Sequence, residues 1–337
     1  MKKKFKLTDT FMTRVPCLPI DSYFEFFSKN LPVDSNLLDE LDSIDVHILK
    51  EAIQVCSPNL YQTILNFQNG KPPHNKENFF NSVHKYFIRS CSRCTPFGLF
   101  SGVSFGKYSN STSLKIDDKN KQVYLRPDML WLMSLIKDIE NNHSEKLKFR
   151  LNEAAVVNHG RVFLLTSTVK NKDKDIYESS IRYTKVFEMI KQIADDFVSF
   201  EYILCEIKKN SGNCNKDLIL NYIKNLVKNE YLISSLRPPL TIQNPFSYFI
   251  KEFEKVKTNG ELLDKLLKIH DNINLYNSNI CINSENLYQE LIDDMKKISN
   301  SNSNSYLQID TKFIFQENNL NKNIENELNE FQYINEN

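Results

Sequence analysis

Only seven glycines occur in the 337 residues. Three of them, Gly98, Gly102 and Gly106, fall at four-residue intervals in the stretch RSCSRCTPFGLFSGVSFG, residues 89–106. Glycine enters left-handed turns without steric cost and lets another backbone or a ligand come close. A chain so poor in glycine that concentrates it in nine residues either turns sharply there or is closely approached there. The same stretch holds Arg89 and Arg93 four residues apart, a Cys-x-x-Cys pair and Thr95-Pro96.

Ahead of it, Phe79, Val83, Tyr86 and Phe87 fall on one side of a helix predicted over 76–93. Thr95-Pro96 and Gly98 end that helix. Lys85, Arg89 and Arg93 stand at i, i+4 and i+8, a basic stripe at the edge of the apolar face. Partly sheltered guanidiniums need anionic partners, and their planar fork suits phosphate or carboxylate. Acids elsewhere in the fold would serve equally well. The glycine run has neither a GxGxxG pattern nor a Walker lysine, so a turn followed by a strand edge is its plainer reading. Cys91 and Cys94 have no second Cys-x-x-Cys and no close histidine pair, and read as packing residues within the helix. The six histidines are scattered, and no nucleophile–base arrangement can be assembled from them.

Apolar residues are 41% and aromatics 12% of the chain, enough for substantial cores. Lys+Arg at 43 against Asp+Glu at 42 excludes a generally basic nucleic-acid coat, so nucleic-acid contact requires a local patch. Seven scattered cysteines, an odd number, read as reduced thiols. The basic start lacks the apolar core of a signal peptide, and no run approaches the roughly 18 apolar residues of a membrane span. The expectation is a cytoplasmic protein with no metal or organic cofactor.

The element pattern is α+β. Residues 36–67 carry helical periodicity, VSFGKYS and QVYLRPD read as extended pieces around a polar turn at 109–121, and a helix follows over 129–139. From 147 two extended runs flank an Asn158-His159-Gly160 turn, and IYESSIRYT is a third. Helices over 186–197, 200–209 and 215–228 and the apolar EYLIS complete a compact unit of winged-helix type. Three segments result: 1–146, 147–238 and 239–337, with an Asn/Ser-rich linker at 299–305, a strand in YLQIDTKFIF and a helix over 320–331.

FMTRVPCLP, YFIRSCSRCTPFGLFSGVSFG and VYLRPDMLWL, in that order, resemble the N-terminal part of the LanB-type lantibiotic dehydratases. The Thr-Pro-Phe-Gly-Leu-Phe block is the most specific match, and the likeness continues through RPPLTIQNPFSYFI at 237–250. The resemblance implies a mixed, multi-lobed α+β fold with an inserted winged-helix leader-peptide recognition module. It implies transfer of glutamate from glutamyl-tRNA, a co-substrate, to Ser or Thr of a precursor peptide, on the way to dehydroalanine or dehydrobutyrine.

By this resemblance Arg14, Arg89, Arg93, Thr95 and Asp128 match the family's glutamylation residues. The arginines would hold phosphate or the glutamyl carboxylate, Thr95 would fix the loop or donate a hydrogen bond, and Asp128 would orient an amine or an arginine. Asp310 matches a further family acid, though it equally fits a strand-end carboxylate. For the leader peptide, the third strand and third helix of the 147–238 module are the expected walls, with Ile181, Tyr183, Tyr222 and Leu226 in contact; each equally fits ordinary core packing.

The chain departs from the family pattern at Pro127 and Cys94 and matches only the first third or so of a full member. The expectation is therefore a segment inactive alone, partnered by a separately encoded remainder and a cyclase. The alternative is a non-catalytic leader-peptide-binding module acting in trans in bacteriocin biosynthesis. A DNA-reading winged helix rests only on Lys216, Lys224 and Lys228, with Asp217 among them.

Overall fold

The computed structural model describes residues 8–28, 44–164, 179–210, 215–256, 260–278, 284–299, 306–324 and 327–328. In chain order its elements begin β1 (Thr10–Pro16), α1 (Ile20–Ser28), α2 (Ile44–Cys56), α3 (Pro58–Gln68), α4 (Lys76–Ser92), β2 (Ser101–Ser109), β3 (Ser113–Pro127) and α5 (Met129–His143). They continue β4 (Lys148–Leu151), β5 (Ala155–Asn158), β6 (Arg161–Leu164), β7 (Ser179–Arg182), α6 (Lys185–Ile193), β8 (Val198–Ser199), α7 (Phe200–Asn210) and α8 (Lys216–Lys228). The rest are β9 (Leu232–Ser234), α9 (Pro245–Glu254), α10 (Gly260–Ser278), α11 (Ser284–Ile298) and β10 (Leu307–Asn321). Helix and strand are mixed throughout, as the α+β pattern predicts. Among the described residues, no helix is long and apolar enough to cross a membrane.

Chain compaction does not follow linear segments. One unit gathers Met1–Arg126, Asn274–Gln289 and Gln308–Asn337; the other gathers Pro127–Ile273 and Glu290–Leu307.

The first unit is built on a four-stranded sheet ordered β1-β2-β10-β3. β1 and β2 run antiparallel in an unbroken register from Thr10↔Lys107 to Pro16↔Ser101. β10 enters parallel to β2, with Lys312 opposite Val103 and a register shift before Asn319↔Lys107. Here the glycine run finds its purpose. A Cβ on Gly102 would lie 2.6 Å from the Thr311 carbonyl oxygen, and one on Gly106 would overlap the Phe11 ring and Asn318. The close approach is made by a strand of the same chain.

The predicted 109–121 turn contracts to three residues, and 113–121 join β3. Their partner β10 comes from just over two hundred residues away: the Ser113 hydroxyl donates to the Glu317 carboxylate, and the Asn321 N–H to Thr112 Oγ1 at 3.0 Å. On the other side of the sheet, Asn277 of α10 clamps both backbone groups of Leu125, at 2.7 and 3.0 Å. β10 also runs further than the predicted strand, to Asn321, so the helix expected over 320–331 starts only after it; residues 322–324 and 327–328 are helical and the others lie outside the described residues.

α4 starts on an Asn75 cap, whose side chain accepts from the Asn78 N–H at 2.9 Å, a contact of about 1 kcal/mol. It buries Phe79, Phe80, Val83, Phe87 and Cys91, while Tyr86 stacks on Phe100 with ring centroids 5.3 Å apart. The helical pattern predicted over 36–67 is interrupted at Ser57, because Pro58 has no N–H and restarts the helix as α3. Residues 36–43 of that reading lie outside the described ones.

In the second unit α5 is capped by Asp128, whose carboxylate accepts from the Leu130 N–H at 2.8 Å. It buries Trp131, Leu132, Leu135, Ile136 and Ile139. The expected hairpin is present: Asn158 pairs with Arg161 across His159 and Gly160, both left-handed at φ 45° and 72°. β7 pairs with β6 from Ser179↔Leu164 to Arg182↔Arg161; residues 165–178 lie outside the described ones. The three helices also appear where expected. One three-stranded sheet does not describe the strands, however, because a second, ordered β8-β4-β9, forms around Phe149. Its two short outer strands flank the helices, and pairing of such short pieces is set by distant partners. Tyr231 joins the two sheets: its hydroxyl lies 3.1 Å from Ser179 Oγ and 3.4 Å from the Val162 carbonyl.

The same unit buries an ionic cluster. Arg237 grips Glu140 with two hydrogen bonds of 2.8 and 2.7 Å and reaches Glu230 at 3.4 Å, while Lys137 reaches Glu230 at 3.5 Å. Burial alone lowers the Arg237 pKa, but the bonds and charges of Glu140 and Glu230 outweigh it and hold the guanidinium above its ordinary value.

Candidate functional site

The end of α4 is where the sequence concentrates its unusual residues. The last helical bond runs from the Arg93 N–H to the Arg89 carbonyl at 3.1 Å, and Arg93 itself is extended, with φ −100° and ψ 115°. The basic stripe therefore breaks after Arg89. Arg93 caps the helix and is exposed rather than sheltered, because the chain straightens ahead of Thr95-Pro96. Cys94 follows it into solvent, so of the two thiols only Cys91 is a packing residue, at 2% exposed.

Arg89 is half-buried, and its guanidinium sits 4.5 Å from the centroid of the Phe97 ring. Its Nε is buried without a hydrogen-bond partner. Among the described residues, none of Arg14, Arg89 and Arg93 is in an ion pair, so no described acid neutralises them. Cys56 lies within reach of this charge. Burial pushes its thiol up to about 12, with the Arg89 guanidinium pulling it the other way.

The loop after α4 is fixed by its backbone. The Ser101 hydroxyl donates to the Thr95 carbonyl, and the Thr311 hydroxyl donates to the Gly98 carbonyl at 2.9 Å. Gly98 takes φ +55°, with Cys56 Sγ 3.4 Å from where a Cβ would stand. Thr95 is exposed. β1 is tied to the same place: the Leu18 N–H bonds the Ser90 carbonyl at 3.0 Å and the Cys17 N–H bonds the Phe100 carbonyl at 2.9 Å. Arg14, exposed, lies opposite Val103, with Lys312 on its other side.

Asp310 pairs with Arg126 at 2.7 Å, both side chains about half exposed. Arg126 lies in the block VYLRPDMLWL and was not singled out by sequence reasoning, although an Arg-Pro-Asp run is a visible signal. Lys312 and Phe97 were missed for want of any local pattern. Arg14, Arg89, Arg93, Thr95 and Asp310 thus belong to the first unit. Asp128 belongs to the second, where it caps α5 and its N–H bonds the Tyr306 carbonyl at 2.8 Å.

In the second unit, Tyr183 packs edge-on against Phe187 at 6.0 Å, and the Tyr222 hydroxyl, raised in pKa by burial, lies by Thr184. Helix α8 is thereby brought to the start of α6, just after β7, with Ile181, Tyr183 and Tyr222 half-buried. Leu226 is 2% exposed and packs in the core. β7 is an edge strand among the described residues. Lys224, one of three lysines considered for DNA, is paired with Glu145 at 2.8 Å. Among the described residues, no group of three or more His, Cys, Asp or Glu side chains is arranged to hold a metal ion.

Over 315 residues the chain is 32% identical to the subtilin biosynthesis protein SpaB of Bacillus subtilis, covering 92% of this chain and 29% of that protein. It is 27% identical to the epidermin biosynthesis protein EpiB of Staphylococcus epidermidis, covering 99% and 33%, and 28% identical to the nisin biosynthesis protein NisB of Lactococcus lactis subsp. lactis, covering 78% and 26%. The chain therefore spans about a third of the length of these relatives. Its fold is similar to that of the tRNA-dependent lantibiotic dehydratase MibB from Microbispora sp. 107891, with TM-score 0.75, 20% identity and coverage of 95% of this chain and 30% of that one. It is also similar to the glutamylation domain TbtB from thiomuracin biosynthesis, with TM-score 0.60, 13% identity and coverage of 89% and 36%. The family described as lantibiotic dehydratase, N terminus, matches residues 46–333, and the chain belongs to it.

Proposed function

We propose that this chain supplies the N-terminal part of a glutamylation machinery that uses glutamyl-tRNA to modify Ser or Thr of a precursor peptide in the cytoplasm. One observation carries the reading: the sheltered guanidinium of Arg89, with its Nε unpartnered, beside an exposed Arg93 and an exposed Thr95. A buried polar group without a partner costs free energy unless a ligand completes it. A glutamyl carboxylate or a 3′-terminal phosphate offers the anionic, multi-oxygen acceptor that a guanidinium fork fits. Arg14 and Arg93 would hold the other charges of the same ligand, and Asp310 would orient Arg126 toward it. Asp128 would contribute through the helix start it caps, and Thr95 through the loop its carbonyl fixes.

The relatives and the MibB and TbtB likenesses support this role in lantibiotic biosynthesis. A precursor peptide, glutamyl-tRNA and a cyclase would be its partners.

A second reading concerns residues 147–238 and is favoured by the edge of β7, which is open among the described residues. In the order α6-β8-α7-α8-β9 this segment has the succession of a winged helix, and a leader peptide adding a strand to β7 would meet Ile181, Tyr183 and Tyr222. Leu226 would support that wall from the core rather than touch the peptide.

The test combines the chain with the complementary part of a dehydratase, glutamyl-tRNA and a precursor peptide, and reads glutamyl adducts by mass spectrometry. Arg89→Met is expected to lower transfer by about 100-fold or more, the loss typical of one charge-stabilising donor. Undiminished transfer by that variant would overturn the assignment.

A further inference from the structure

The edge of β7 carries a side chain across it. In an antiparallel pair, residues that exchange hydrogen bonds alternate with residues whose backbone groups face away. The Tyr183 N–H bonds the Gly160 carbonyl at 2.9 Å, which makes that pair a bonded one. Counted back along the register, Ile181 and Ser179 turn their N–H and C=O groups toward β6, while Arg182 and Ser180 turn theirs outward. A peptide that adds a strand to β7 must reach those outward groups.

One of them is already taken. Arg161 of β6 reaches over β7: its Nη2 donates to the Ser180 carbonyl at 3.1 Å and to Ser180 Oγ at 2.7 Å, and its Nε donates to the same Oγ at 3.2 Å. Charged side chains commonly protect the edges of sheets, and a guanidinium on an outward carbonyl does so directly. No counter-charge pins this one. Among the described residues neither Arg161 nor Arg182 is in an ion pair, and the register sets the two opposite each other, both exposed. Like charges in that position repel, so together they attract an anion. Their neighbours across the pairs on this face are Asn158, Val156, Phe163 and Ser180, none of them acidic.

Side chains of an added strand alternate between the two faces of the sheet, so those on one face meet Ile181 and Tyr183 and those on the other meet Arg161 and Arg182. A strand that bonds the Ser180 carbonyl expels Arg161 from it. An Asp or Glu on the arginine face then gives the freed guanidinium a charge-assisted bond in place of a neutral one, whereas an uncharged side chain leaves it with nothing. We propose that Arg161 is a latch on the edge of β7 and the residue that selects an acidic peptide: it blocks Ser180 and, once displaced, pairs with a carboxylate of the incoming strand beside Arg182. This selection rests on the leader-peptide reading above and adds to it the charge requirement and the residue that imposes it.

The test measures fluorescence anisotropy of two labelled peptides with the whole chain. One is the leader segment of the subtilin precursor, chosen because a subtilin biosynthesis protein is 32% identical to this chain. The other is the same peptide with every Asp and Glu replaced by its amide. The wild-type chain is expected to bind the acidic peptide about five-fold more tightly, the upper range for an exposed ion pair. Arg161→Ala is expected to move the two in opposite directions, each by about two-fold: the acidic peptide loses its partner, and the amide peptide no longer has a latch to displace. The preference then falls to near one. Arg182→Ala is expected to weaken the acidic peptide alone. Damage to the fold would lower both affinities together, so opposite shifts separate selection from a structural role.

Equal affinity of the wild-type chain for the two peptides overturns the selection. So does a shift of both peptides in the same direction, or of neither, in Arg161→Ala. In each of these cases the peptide still binds, and the leader reading stands without the latch. Binding of neither peptide, by the wild-type chain or by Arg161→Ala, removes the leader reading and the latch with it.

Discussion

Arg237 and Arg89 are both sheltered guanidiniums at the ends of apolar surfaces, and they are treated in opposite ways. Arg237 is closed by its own fold: Glu140 takes it with two hydrogen bonds, Glu230 stands at 3.4 Å, and its side chain is 9% exposed. Arg89 is stacked on Phe97 but its buried Nε meets no acceptor. A protein that buries a cation for stability surrounds it with anions, because an unpaired buried charge costs several kcal/mol. At Arg89 the fork is left incomplete beside an exposed loop, and the proposed anion-binding role rests on that difference. The two arginines thus differ in what faces them: carboxylates at Arg237, an aromatic ring and an unpartnered Nε at Arg89.

The sharpest way to break this comparison is to make the same substitution at both. Arg237→Met leaves Glu140 buried without its cation and Glu230 with Lys137 alone, and is expected to destabilise the chain by about 3–5 kcal/mol. Urea unfolding followed by circular dichroism reads it, and a loss below 1 kcal/mol would mean the cluster is not closed as the hydrogen bonds indicate. The next effect falls within the glycine run. Gly102→Ala drives a Cβ into the Thr311 carbonyl and the Phe313 ring and should cost about 1–3 kcal/mol. If it costs nothing, β10 does not lie against β2, and the glycines were spared for a ligand after all. Gly98→Ala is smaller, about 1–2 kcal/mol, the expense of a left-handed backbone for a residue with a Cβ. Its readout is the same unfolding curve.

These substitutions also show what the sequence made legible. The end of α4 was visible because proline, glycine and helical spacing are local signals, and the hairpin at His159-Gly160 for the same reason. Arg93 was misplaced by a single residue: a helix counted at 100° per residue carries it onto the stripe, whereas the chain had already straightened. The role of Gly102 and Gly106 was half legible. Close approach follows from glycine itself, but the approaching strand starts at Leu307, far along the chain, and only the fold brings it there. The Asp310–Arg126 pair and the β8-β4-β9 sheet were hidden by the same distance. Asp128 shows the opposite problem, since its position before an apolar run announces a helix cap, and that structural duty is what its carboxylate performs. Leu226 fell on the expected helix but on its buried side, a distinction that needs the neighbouring strands to be known.

The smallest stability effect is the most informative. Arg89→Met keeps the aliphatic stem against Phe97 and removes a buried Nε that has no acceptor. The fold loses the cation–π contact, about 0.5–1 kcal/mol at a partly exposed site, and is relieved of an unsatisfied donor worth about as much or more. The net change is expected to lie within about 0.5 kcal/mol of zero, in contrast to the same substitution at Arg237. Removal of the charge also deprives Cys56 of the group that opposes its burial, so its thiol should become still less reactive toward iodoacetamide, while the exposed Cys94 reacts as before. A large loss of stability in Arg89→Met would show that the arginine is framework, held by something other than an external anion. Unchanged stability with slowed Cys56 alkylation places the charge where the structure has it, next to a loop pinned by its backbone and open to a ligand.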